Sequence, residues 1–200
     1  MNFRRNLLVV GLFALALGMR FLPYLLMQFR DEQTTPGLSF FPWNFSPVMT
    51  ICLFSGAVFS ERRLSYGLPM AIAVISDLGI GLLMQNMSFA FHTLVPFTYL
   101  AWLLATWMGH TFLRRREAWK IAVGGFVSEL AFFLLTNAAN WQLMPTHPGT
   151  LEGLALTYVD GLPFFVRSLV GTMMFSVLLF GGYALAEHFA TRREASPQTV

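Results

Sequence analysis

The chain has 200 residues, of which 56% are hydrophobic and only 12% charged, with 21 Phe, a formal charge of +3 and a pI near 9.4. That composition excludes an ordinary water-soluble globule, and the basic balance does not point to nucleic acid, because the cations sit in small clusters between apolar runs. A chain of this size holds about six crossings of about 20 residues each, with short connections and no separate soluble domain.

The expected architecture is all-α, one compact bundle of six transmembrane helices over residues 1–190. The spans fall at about 6–28, 44–61, 67–84, 93–113, 118–138 and 162–188, before a polar tail at 191–200. The first stretch starts MNFRR and contains Ala14-Leu15-Ala16, which imitates a cleavable signal. The apolar run nevertheless continues past Arg20 to about Phe29, so a retained helix is expected. Gly11, Ala14 and Gly18 recur on one face of it, which permits close approach of another helix, from the bundle or from a partner. In the second stretch Pro47 to Ser60 is short enough for a re-entrant segment.

Charge placement argues for a full crossing there. Basic residues occur at Arg4 and Arg5, at Arg62 and Arg63, at Arg114, Arg115, Arg116 and Lys120, and at Arg192 and Arg193, one cluster in every second connection. By the positive-inside rule both termini are expected in the cytoplasm, with two longer outer connections at about 29–43 and 139–161. Loops of that length often cover binding sites, though interfacial aromatics such as Phe40, Phe41 and Trp43 have a simpler belt role.

Arg20, Asp77, Glu129 and Arg167 interrupt the apolar stretches. Ionisable groups at membrane depth are costly and persist where they face one another, a cavity or a ligand. With 1.5 Å of rise per residue, Arg20 and Arg167 fall in the outer half and Asp77 and Glu129 near the centre. The outer ends add Asn44, Ser46 before Pro47, the run Thr136 to Trp141, and Tyr158 and Asp160. Ser46 can cap a helix that starts at Pro47, a helix end that also offers free N–H groups to a ligand beside Asn44. The candidate site is Arg20, Asn44, Asp77, Asn137, Asn140, Trp141 and Arg167, the arginines and asparagines holding polar groups and Trp141 stacking. Ion pairing of Arg20 and Arg167 with Asp77, Glu129 or Asp160 is the competing structural role.

Other chemistry is thin. The lone Cys52 allows neither an intrachain disulfide nor a CxxC site, and the four histidines lack metal-ligand spacing, so no metal or other cofactor is expected. There is no GxSxG, HExxH or Walker motif; Ser128 beside Glu129 is the nearest nucleophile and base, and adjacent helical residues do not face each other.

The segments NFSPVMTICLFSGAVFSERR at 44–63, LPMAIAVISDLGIG at 68–81, TNAANW at 136–141 and YVDGLPFF through FGGY at 158–183, with Arg20, carry a resemblance. The chain resembles small bacterial membrane proteins of uncharacterised function that are similar to the substrate-binding S components of energy-coupling-factor transporters. The resemblance implies an inner-membrane protein that binds a micronutrient under the loop between the first two helices, with a separate membrane coupling subunit and ATPases supplying energy. It gives a reason for the long 29–43 connection and for the missing nucleotide motif. The expected function is binding of a small polar or anionic solute for uptake; the alternative is a structural or assembly protein of the envelope.

Overall fold

The computed structural model describes residues 3–28, 45–144 and 146–195. The described residues form six α-helices and one 3-10 turn, and no strand: α1 (Phe3–Gln28), α2 (Val48–Val58), α3 (Arg62–Leu83), the turn Met87–Phe89, α4 (Val95–Phe112), α5 (Ala118–Leu143) and α6 (Leu151–Ala195). Four of them, α1, α3, α5 and α6, contain stretches long and apolar enough to cross a membrane. Polarity is arranged to match. Leu82, Leu104, Val123, Val177 and Phe189 point outward, whereas Asp77, Thr106, Glu129 and Thr172 are buried. Such an inversion suits hydrocarbon outside and hydrogen-bonded polar groups inside.

The second helix is the axis of the bundle. It has 11 residues, every one from Val48 to Ala57 is buried, and it touches all five other helices. A helix this short would leave polar backbone in lipid at both ends; here protein encloses it, the condition under which irregular backbone is tolerated at membrane depth. Contact with α4 is closest. A Cβ on Gly56 would collide with the Thr106 carbonyl, and one on Gly109 with the Leu53 carbonyl, so the two backbones meet directly. The helix begins one residue later than expected, with Pro47 in the cap position and the Ser46 hydroxyl accepting the Val48 N–H at 3.3 Å.

Several boundaries differ from the sequence expectation: α3 starts at Arg62 rather than 67, α5 ends at Leu143 rather than 138, and two further differences bear on the site. The helical part of the second segment is Val48–Val58 rather than 44–61, and α6 starts at Leu151 rather than near 162. Thr150 explains the second of these, since its hydroxyl accepts the Gly153 N–H at 3.2 Å and its carbonyl the Leu154 N–H at 3.0 Å, a complete cap. Pro163 then lies inside the helix rather than at its start. At the other end, Arg116 takes a left-handed conformation (φ 50°) between α4 and α5 and donates to Glu187 at 2.9 Å, tying that turn to α6.

Candidate functional site

Odd-numbered helices run toward one end of the bundle and even-numbered helices away from it, and at that end they enclose a cavity of about 530 Å³. Its walls come from late α1 (Arg20, Tyr24), the start of α2 (Ser46, Met49), early α4 (Thr98, Trp102), late α5 and early α6. Arg62 and Arg63 begin α3, Lys120 lies in the first turn of α5, and Arg114 and Arg115 lie between α4 and α5, all at the opposite end.

One wall is a closed polar stack. Arg20 donates through Nη2 to Asp77 Oδ1, Tyr99 donates to Asp77 Oδ2 at 2.6 Å, and the Arg20 guanidinium lies 5.0 Å from the Trp102 ring centre. Tyr99 and Trp102 stack, with centroids 5.8 Å apart. Both oxygens of Asp77 are therefore satisfied within the protein, while Arg20 and Trp102 still contribute to the cavity lining.

Glu129 lies at the buried end of the cavity and is 1% exposed. Its carboxyl accepts from Ser168 at 2.7 Å and from Thr172 at 2.5 Å, both on α6, and Thr50 of α2 donates to the Thr172 carbonyl at 3.0 Å. Ser168 and Thr172 are four apart and so share one helix face. A carboxyl held by two hydroxyls can exchange a proton or receive a donor group from a ligand.

The α5 wall presents Thr136, Asn137 and Asn140. The Asn137 amide donates back to the Phe133 carbonyl at 2.8 Å, which leaves its oxygen toward α6; Gly161 is what lets α6 come that close, since a Cβ there would strike Asn137 Oδ1. Asn140 makes no side-chain hydrogen bond to a described residue and keeps its donors and acceptor for the cavity. Phe133 and Phe165, 5.0 Å apart, with Phe45 and Phe164, give the remaining surface an aromatic character. Asp160 sits at the mouth, paired with His147 at 2.7 Å.

Of the residues singled out by sequence, Arg20, Asn137 and Asn140 line this cavity and Asp77 stands behind Arg20. Trp141 lies outside the lining and donates to the Pro148 carbonyl at 3.0 Å, pinning the α5–α6 connection. Arg167 is half-buried and also outside the lining, one residue from Ser168, which belongs to it. Asn44 and the 29–43 connection lie outside the described residues. Ser168, Thr172, Tyr99 and Trp102 were not anticipated; the i, i+4 hydroxyl pair on α6 was the visible signal. Among the described residues no three of His, Cys, Asp or Glu gather as metal ligands.

The sequence model of a family of unknown function, DUF6580, matches residues 1–195. No curated protein and no solved structure matches the chain.

Proposed function

The chain belongs to that family, and because no activity is known for it we propose from the site alone that this membrane protein binds a small solute in the cavity beside Asn140 and Glu129. The single observation that carries this is a cavity of about 530 Å³, within the size range of small-molecule sites, with aromatic walls and a few convergent polar groups. Arg20 is already engaged by Asp77, and the other acidic groups of the lining are Glu129 and Asp160. That balance favours a polar, ring-bearing solute that is neutral or carries a donor cation over the anion that a free arginine would have suggested.

With the basic clusters at the far end, the positive-inside rule turns the cavity outward and both termini inward, in a bacterial inner membrane. Binding there suits the specificity subunit of an uptake transporter. The sequence has no nucleotide-binding motif of Walker type, so separate ATPases and a membrane coupling subunit would supply the energy. Space for such a subunit exists along α1, where a Cβ on Gly11 or Gly18 would meet nothing within 4 Å.

A scaffold role without a solute is favoured by one feature, the Arg20–Asp77–Tyr99 stack, which is complete without a ligand. A thermal-shift screen of purified protein against vitamins, nucleobases and their precursors separates the two. The expected outcome is a compound that raises Tm in the wild type and loses most of its effect in Asn140→Ala and in Glu129→Gln. If nothing in a broad screen stabilises the wild type, the scaffold role takes its place.

A further inference from the structure

A second cavity, about 490 Å³, lies at the opposite end of the bundle between α4 and α5. Met108, Phe112, Val123 and Val127 form an apolar trough, and Arg114, Arg115 and Lys120 stand at its rim. The trough opens on the lipid-facing flank, where Phe112, Trp119, Val123 and Val127 are exposed.

The rim carries surplus positive charge. Lys120 donates to Glu117 at 2.8 Å and Trp119 donates to the other Glu117 oxygen at 2.9 Å, so one cation is neutralised and the indole is fixed at the rim. Those hydrogen bonds, the one from Lys120 foremost, lower the pKa of Glu117 below the ordinary carboxylate value. Among the described residues Arg114 bonds to the carbonyl and ring of His110. Arg115 is exposed, makes no hydrogen bond with a described residue and is attracted only at longer range by Glu117. Arg116, next in the chain, is turned away to Glu187.

We propose that this trough is a binding site for one anionic phospholipid, its phosphate held by Arg115 and Arg114 and one acyl chain lying along Val123 and Val127. Charge complementarity selects the occupant: two cations in excess of the single Glu117 carboxylate, at the rim of an apolar channel, match a phosphate attached to a hydrocarbon chain, and guanidinium forks suit phosphate oxygens. A packed helix from another protein would leave those two cations unmatched unless it brought its own carboxylates. The site is independent of the solute cavity and of any function assigned to it.

The full-length protein, purified and delipidated in detergent, tests this through Tm against increasing phosphatidylglycerol, phosphatidylcholine, glycerol phosphate or inorganic phosphate. Phosphatidylglycerol is expected to give a saturable rise, and the other three none. Arg114→Gln with Arg115→Gln should weaken half-saturation by about thirtyfold, from the loss of two surface cations. Arg62→Gln with Arg63→Gln, at the same end but outside the trough, should leave it unchanged. Val123→Trp fills the trough without touching a charge and should abolish the rise.

Four outcomes overturn the proposal. An equal response to phosphatidylcholine means ordinary annular lipid, and a response to free phosphate means an anion site without a chain. Equal weakening by the Arg62 and Arg63 pair means diffuse attraction. Unaltered binding in Val123→Trp means that the chain lies elsewhere; the substituted trough positions Arg114, Arg115 and Val123 are all exposed.

Discussion

Asp77 shows how one side chain can stabilise the bundle and shape the solute cavity at once. It receives Arg20 and Tyr99, and Arg20 in turn roofs Trp102 in the cavity wall. Removing the carboxylate alone strands a guanidinium whose side chain is 17% exposed, so Asp77→Ala should cost about 3 kcal/mol, the lower part of the range for breaking a buried pair. Replacing both charges, Arg20→Leu with Asp77→Leu, should restore most of that loss. Denaturation in micelles measures both variants; equal losses would show that the pair is not what holds the two helices. Arg20, Asp77 and Glu129 were legible because a charge in an apolar run stands out. The Arg20–Asp77 pair was among the expected pairings, whereas the partners of Glu129 were not, since Ser168 and Thr172 lie 39 and 43 residues from it. The exclusion of Arg167 from the lining depends on a rotation of about 100° per residue, which sequence does not fix for an isolated helix.

At the scale of elements, glycines divide into those that permit contact and those that face outward. Gly109→Ala forces a methyl against the Leu53 carbonyl, backbone on backbone, and should destabilise by about 1–3 kcal/mol, as overpacking does. Gly11→Ala and Gly18→Ala meet nothing and should be neutral or gain up to about 1 kcal/mol from helix propensity. Tm in detergent ranks all three, and a loss at Gly11 as large as at Gly109 would contradict the packing described. The long helices were plain from hydrophobic length alone, α4 lying close to its expected span and α3 starting five residues before its own. By contrast α2 was overextended because its flanks, Phe45 and Phe59, are as apolar as its core although non-helical. The start of α6 was missed because Pro163 resembles a first-turn proline, while the cap that starts the helix is Thr150.

For the whole molecule, the testable quantity is which end faces which side. Cys52 is fully buried and should stay unreactive, so single added cysteines can be read against it. In intact cells a membrane-impermeant thiol reagent should label Thr146→Cys, at the cavity mouth, and label Arg63→Cys only after permeabilisation. The reverse pattern would point the cavity inward and remove the argument for uptake. α6 adds a consequence of simple length. Its 45 residues measure about 68 Å at 1.5 Å each, against about 30 Å of hydrocarbon. A tilt of about 40°, the upper end of the usual range, shortens the projection only to about 52 Å. At least 20 Å or so of the projected length of this helix therefore lies outside the hydrocarbon, so its ends must be stable among headgroups and water rather than lipid tails.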